Sequence, residues 1–445
     1  MRSLLAIVAA ALATTAWGLT IPPVPLSVQQ SAPPLVMLVS GKDHRLFYEA
    51  YNDASDIDGD GTLDIRFKPG ITYLGLFNPN YCYTYGVPSL PQGFTPTRTT
   101  PDGRCVGQWS GNWLNYVTTS RIDALRVVLY GGMRDVDTET QTVLRRAYIP
   151  QDAHSWAKEY TSEAVDAYRI SDYTPVPQPN AGKRHFFGNV TRTNGVDCSV
   201  LANCSNLPPW LSVVENSTSR VWKWASSEAP VLADVQRLEE NPTPRRTNYT
   251  VRVSVCTPGF TQGCKQYPSG TNKPTGLLHE YGESGAMQFG LLTGSYDNSM
   301  AGGRLRKVIS SFTDEVNART GQFTGATGIV RSYDALRIRD HNNGMTNPRY
   351  RGPFLTDRGP LPGEFPDWGN PVGEMMYEAL RYFAGKRQPT STYAGGGRAM
   401  DDAVGLPAPA WDDPFDKINS AAKAPLCGKR RPELSPPRPA RTWPV

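Results

Sequence analysis

Residues 53–67 read DASDIDGDGTLDIRF and set Asp56, Asp58 and Asp60 at alternate positions, followed by Gly61, Thr62 and Asp64. In a calcium loop, positions 1, 3 and 5 supply carboxylate oxygens and a glycine at position 6 allows the sharp turn. Position 7 gives a backbone carbonyl, and position 9 acts directly or through water. Crowded carboxylates repel one another unless a hard cation neutralises them, and an all-oxygen donor set suits Ca²⁺ better than Mg²⁺. The metal ligands expected are therefore Asp56, Asp58, Asp60, Thr62 and Asp64, completed by Asn52, Asp53 or a distant residue. Position 12, where an EF-hand carries a bidentate Glu, is Phe67. The alternation of Leu63, Ile65 and Phe67 with Asp64 and Arg66 predicts a strand after the loop rather than an exiting helix. A closed oxygen cage leaves no open coordination position, so the ion is expected to order the aromatic-rich chain around it rather than to catalyse.

Other chemistry-bearing residues form no catalytic set. His154 stands near Asp152 and Ser155, but sequence neighbours seldom make a triad, and the histidine reads as structural. His279-Glu280 lacks the second histidine of a zinc-protease motif. Residues 282–286, GESGA, lack the strand that a nucleophile elbow needs before its serine. Gly395-Gly396-Gly397 lacks the Gly-Lys-Ser/Thr ending of a phosphate loop. Tyr81, Tyr83 and Tyr85 share one face of a predicted strand and read as core, with a sticky binding patch as the alternative.

The chain has 445 residues with a net charge of +5, and its seven cysteines are accompanied by 41 glycines and 39 prolines. Arg2 and the basic tail account for the whole charge excess, leaving a neutral body without the basic stripe of a nucleic-acid binder. Residues 1–18 read as a secretory signal peptide: Arg2, an apolar stretch from Leu4 to Ala13, and small residues at Thr14 and Ala16. No internal apolar run is long enough for a membrane span, so membrane association is expected to be peripheral at most. Export makes the cysteines a disulfide set, and sequential pairing is the simplest connectivity: Cys82 with Cys105, Cys198 with Cys204, Cys256 with Cys264. Cys427 is the odd one.

Residues 19–34 form a Pro-rich leader, followed by the fully apolar run Leu35–Val39, the mark of a strand covered on both faces. Leu114, Val117, Ile122, Leu125, Val128 and Leu129 recur at helical spacing, with Gly131-Gly132 as the stop. Met287–Leu292 predicts a second apolar strand. Leu305, Val308, Ile309, Phe312 and Val316 predict an amphipathic helix behind it. Another helix is expected from Asn370 as cap through Phe383, ended by Gly385. Strands alternating with amphipathic helices predict an α/β sheet covered on both faces. The stretch from about 135 to 280 reads as a disulfide-containing loop and β insertion. Residues 428–445 hold five prolines without periodicity and depart from the preceding pattern.

Several stretches carry a family resemblance: DHRLFYEAYNDASDIDGDGTLD, GNWLNYVTTSRIDALRVVLYGG, RAYIPQDAHSW, MQFGLLTGSYD with GGRLRKVISSF, and NPVGEMMYEALRYFAGK. In this order they resemble the N-terminal half of the PilC/PilY family of type IV pilus biogenesis proteins and tip-associated adhesins. The resemblance spans about 35–427 and implies a von Willebrand factor A-like (Rossmann-type) α/β domain, here with the insertion at about 135–280. It implies export to the periplasm, outer membrane surface or pilus tip, with minor pilins as partners and a role in assembly, retraction control and adhesion, including to a host-surface ligand. The Asp-x-Ser-x-Ser adhesion motif of such domains is not matched by Val39-Ser40-Gly41-Lys42-Asp43 after the first strand. The family's C-terminal propeller, with its retraction-control calcium site, is expected to be missing, and a frameshifted end is the preferred reading of the tail.

The expectation is thus a non-enzymatic, exported, calcium-binding protein of pilus assembly and adhesion, stiffened by disulfides. The alternatives are a secreted calcium-stabilised hydrolase, favoured by paired buried carboxylates with separated pKa values, and a carbohydrate-binding module, favoured by an exposed tyrosine platform.

Overall fold

The structure is a computed structural model that describes residues 33–52, 54–150, 154–191, 207–218, 246–339, 364–394 and 397–416. The expected signal peptide, the leader up to residue 32, Asp53, Asp152, Gly395, Gly396, the Cys198–Cys204 pair, Cys427 and the tail lie outside the described residues.

The two apolar runs pair with each other. Strand β1 (Leu35–Ser40) lies parallel to β14 (Gln288–Thr293), in register from Leu35 opposite Gln288 to Ser40 opposite Thr293. Strand β15 (Arg304–Ser310) is antiparallel to β14 and completes a three-stranded mixed sheet. The predicted helix over 305–316 is therefore corrected to a strand. Leu305 and Ile309 are buried and Val308 half-buried, which is compatible with either period over so short a span. What decides is a ladder partner, β14, that takes up the backbone groups.

A six-stranded sheet combines β2 (Tyr81–Val87), β3 (Leu90–Thr99), β4 (Trp109–Ser110), β5 (Arg134–Asp137), β6 (Thr142–Arg145) and β11 (Arg252–Val255), in the order β4-β2-β3-β11-β6-β5. A four-stranded antiparallel sheet holds β7 (Trp156–Tyr160), β8 (Arg184–Thr191), β9 (Pro209–Ser217) and β10 (Arg246–Thr250). A short ladder joins β12 (Cys264–Gln266) and β13 (Asn272–Pro274). The disulfides Cys82–Cys105 and Cys256–Cys264 form as sequential pairs.

The periodic stretch before Gly131 folds as two helices, α1 (Gly111–Thr118) and α2 (Arg121–Tyr130). Thr119 and Ser120 are extended, and the Ser120 hydroxyl accepts the Asp123 N–H as a new N-cap. The stop is as expected: Gly131 takes a left-handed φ of 83°, its N–H bonds the Val127 carbonyl at 3.0 Å, and Gly132 bonds Arg126 at 3.1 Å. After α3 (Leu277–Gly282) and α4 (Ile329–Ala335), helix α5 (Val372–Phe383) packs on β1 and β14. Pro371 rather than Asn370 is its cap residue and offers no side-chain bond; the Asn370 backbone carbonyl takes the Val372 N–H instead.

Candidate metal centre

The acidic loop is folded by its own side chains. Asp56 Oδ1 accepts from the N–H groups of Gly59 (2.8 Å) and Asp60 (3.1 Å), and its Oδ2 accepts from Gly61 at 2.8 Å. Asp60 Oδ1 accepts from the Thr62 N–H at 2.7 Å. Gly59 and Gly61 have φ of 74° and 84°, a region that a Cβ penalises, so the glycine at the sixth position does serve a sharp turn. Asp64 closes the loop: its N–H reaches the Ser55 carbonyl at 2.8 Å and its Oδ2 takes the Ile57 N–H at 2.5 Å.

The expected strand after the loop does not form. Residues 62–69 belong to no strand, Leu63 and Ile65 are exposed, and Asp64 is 2 % exposed. Leu63 and Ile65 face solvent against the amphipathic prediction, because Asp64 turns inward to bond Ile57, and only Phe67 keeps its predicted inward place. Phe67 then anchors the segment, its ring 5.1 Å from those of Tyr168 and Tyr173 and 5.6 Å from Tyr73 and Tyr116. Arg66 pairs with buried Asp166 at 3.1 Å, and the Lys68 N–H donates to Tyr73 Oη at 3.1 Å. The loop is thereby tied to the aromatic core that continues through Trp113 and Trp109.

Carboxylate oxygens of Asp56, Asp58 and Asp64 lie within 4.8 Å of one another. Ligands 2.3–2.6 Å from one Ca²⁺ stand up to roughly 5 Å apart across the ion, so this spacing fits a shared cation. The loop's charge is met by a residue that spacing alone did not single out. The Lys68 ammonium lies 3.0 Å from Asp58 Oδ2 and 3.1 Å from Asp60 Oδ2, and it also contacts Asp64 Oδ1. That contact and the backbone N–H groups of Thr62 and Ile57 hold Asp60 and Asp64 below the usual carboxylate range. Asp64 and Asp58 in turn raise Lys68 above the usual lysine range. The ammonium thus stands where the donor set calls for positive charge. Asp64 placed four residues before Lys68 was the available sequence signal.

The other candidates are structural. Buried His154 sets its Nε2 3.1 Å from His44 Nδ1 and stacks on Tyr48. His279 caps α3, its Nδ1 accepting the Gly276 N–H at 3.2 Å, and burial, then Arg134 and Lys265, pushes its pKa down to about 3. The elbow-like stretch follows α3 and precedes β14, so no strand leads into Ser284. The hydroxyls of Tyr81, Tyr83 and Tyr85 accept backbone N–H groups from Gln262, Asn78 and Thr250. With Tyr81 5 % and Tyr83 1 % exposed, these rings are core, and the feature that favoured a carbohydrate module is not on the surface. At the carboxyl end of β1, Lys42 is buried with its ammonium donating to the Pro366 carbonyl, 5.0 Å from the Tyr296 ring centroid. Burial lowers its pKa to about 8 against the opposing pull of Asp367, Asp401 and Asp43.

Comparison with known proteins turns this geometry into a lineage. A family model described as the small alpha/beta domain of PilY1 homologues matches residues 64–206, and one described as their second domain matches 289–431. A type IV pilus biogenesis factor PilY1 homolog of Xylella fastidiosa (strain Temecula1) is 42% identical over 407 residues, 86% of this chain. The chain is PilY1-like. A second protein of that name from the same organism is 28% identical over 226 residues, 48% of this chain and 17% of the relative. The chain spans 27% of the length of the 42% identical relative. No solved structure matches. The small-domain match begins at Asp64, so the acidic loop sits at the border of that PilY1-like domain. Among the described residues no helix is long and apolar enough to cross a membrane.

Proposed function

We propose that this chain is an exported, non-enzymatic module of type IV pilus biogenesis and adhesion whose 56–64 loop binds one Ca²⁺. The observation that carries the pilus role is the 42% identity to a relative named as a pilus biogenesis factor, maintained over 86% of this chain. Calcium binding is supported by the mutual approach of Asp56, Asp58 and Asp64 and by the lysine that their charge has recruited. Asp60 and the Thr62 carbonyl complete the expected shell. The ion's role is to hold the segment running into Phe67 against the aromatic core, and through it the domain's surface loops. A von Willebrand factor A-like arrangement is supported by the parallel β1–β14 pair, with α5 on one face and the cluster around Phe47 and Ile122 on the other. Minor pilins or the pilus tip are the proposed partners, a host-surface ligand is the proposed adhesion target, and the periplasm or outer surface is the proposed location.

The test is genetic and quantitative. In a piliated bacterium that encodes this chain, its deletion is expected to reduce surface pili and twitching, and wild-type complementation to restore both. Restoration by Asp58→Ala/Asp60→Ala at wild-type level would separate the pilus role from calcium. Unchanged piliation on deletion would contradict the role itself.

A further inference from the structure

The edge of the three-stranded sheet opposite β1 carries a groove. Its floor is Gly303 and Leu305, both buried at the start of β15, and its walls are the turn after α5 and the stretch 408–411. It encloses about 500 Å³, inside the range of roughly 300–1,000 Å³ found for small-ligand sites.

The walls are held from below. Glu378, fully buried on α5, accepts the N–H and the hydroxyl of Thr390, and Arg381 Nη2 donates to the Gln388 carbonyl at 2.9 Å. Tyr393 closes on Gly302, where an added Cβ would stand 2.3 Å from the Tyr393 Cβ, so a larger residue would push this wall away. Trp411 packs edge-on against Tyr382 of α5, ring centroids 5.7 Å apart. Both Trp411 and Tyr393 line the groove and are half-buried.

Among the described residues the lining holds three arginines, Arg304, Arg387 and Arg398, and no acid. Arg304 Nη2 donates to the Gly397 carbonyl at 2.7 Å, which brings it beside Arg398. Asp402 fixes Arg398, its Oδ1 3.1 Å from Nε and 2.6 Å from Nη2. Arg387 pairs with Asp416 at 2.9 Å, where the two side chains are 65 % and 60 % exposed. Such a pair is weak and exchanges readily for another carboxylate.

Guanidinium groups recognise carboxylates and phosphates through paired N–H donors. A phosphate site draws on backbone N–H groups as well. Here the neighbouring helix start, that of α6 (Ala399–Ala403), is already taken: Asp297 accepts the N–H groups of Met400 and Asp401 at 3.0 and 2.9 Å. A carboxylate is therefore favoured. An extended acidic peptide is held by backbone bonds, and Pro389 and Pro409 in the walls have no N–H to give. What the walls do offer is two aromatic rings, the Gln388 amide and the Ser391 hydroxyl. These suit a ring with an apolar face and several hydroxyls.

We propose that this groove binds a uronic acid unit of an acidic polysaccharide. Arg387 takes the carboxylate in exchange for Asp416, Arg304 and Arg398 supply the surrounding positive charge, and the sugar ring lies against Trp411 and Tyr393. This gives the adhesion reading above a ligand class, and rests on that reading for its biological setting.

The experiment is isothermal titration of the purified 445-residue chain with trigalacturonic acid, its neutral methyl ester, tetraglutamate and inorganic phosphate, each with calcium and with chelator. Wild type is expected to bind trigalacturonic acid about tenfold or more tightly than the other three, equally with and without calcium. Arg387→Gln changes an exposed position, so it should keep the melting temperature while weakening that binding about tenfold. No binding of trigalacturonic acid, or equal binding of its ester, would overturn the proposal. So would tetraglutamate or phosphate bound as tightly, since the groove would then read charge alone. Binding that appears only with calcium would belong to the 56–64 loop and overturn it, as would wild-type affinity in Arg387→Gln. Pili lost on deletion, with no saccharide bound, would sink this inference and leave the pilus role standing.

Discussion

The ammonium of Lys68 stands 3.0 Å from Asp58 Oδ2, ten residues back in the chain, with Asp60 and Asp64 contacting the same nitrogen. A single positive charge among three carboxylates neutralises only part of the loop. A divalent ion must therefore displace the lysine or share the carboxylates with it.

Replacing that lysine should sharpen the site. Lys68→Met removes the resident competitor and keeps the backbone N–H that donates to Tyr73 Oη. Calcium affinity is expected to rise roughly fivefold, the worth of one partly exposed ion pair. Isothermal titration of both proteins measures it. An unchanged or weaker affinity would mean that the ammonium does not occupy the ion's place.

Lys42 predicts an alkaline trend. Its folded pKa is near 8, whereas the unfolded chain titrates near 10.5, so between these values the unfolded state holds the extra proton. Stability therefore rises with pH through that window for this group, by about 1.4 kcal/mol for each unit of separation at the limit. Denaturant melts of wild type and Lys42→Met at pH 7.5 and 10 read the effect as a difference of differences. Parallel curves would contradict it.

His279 predicts the opposite end. The folded state keeps the imidazole neutral down to about pH 3, while the unfolded chain protonates near 6.5. Its contribution is intact above pH 6.5 and is lost as pH falls toward 3. His279→Gln keeps a hydrogen-bonding group near the Gly276 N–H and should flatten the fall in melting temperature between pH 6.5 and 4. An equally steep fall in the variant would assign acid loss to other groups.

Gly131→Ala tests the end of α2. An added Cβ would meet the Pro274 carbonyl carbon at 2.6 Å and the Thr275 nitrogen at 2.8 Å, both backbone, at a left-handed φ of 83°. A destabilisation of roughly 2–4 kcal/mol is expected in urea unfolding, more than the ordinary penalty for alanine at positive φ. A loss under about 0.5 kcal/mol would mean that the loop at Pro274 yields freely.

What could be read without coordinates was set by local signals. The β1 and β14 runs, the Gly131 stop, α5 and two sequential disulfides each follow from a few neighbouring residues. The stretch 304–310 reads as a helix because Leu305, Val308 and Ile309 satisfy a helical period by chance, whereas its strand state depends on pairing with β14 residues eleven to twenty-one positions away. Alternation after Asp64 misled for a related reason. A strand needs a ladder partner, and Asp64 instead spends its backbone and carboxylate on Ser55 and Ile57. The oxygen donors of the loop were legible as spacing. For Lys68 only the spacing from Asp64 was a signal, and its contacts with Asp58 and Asp60 arise from the turn that brings Phe67 into the aromatic core.

The most direct test of a calcium-holding loop is the melting temperature of the wild-type chain and of Asp58→Ala/Asp60→Ala, each with calcium and with chelator. Wild type should gain about 2.7 kcal/mol of stability at a hundredfold excess of calcium over its dissociation constant, and the variant should gain none. Wild-type curves that superimpose with and without calcium would contradict the account.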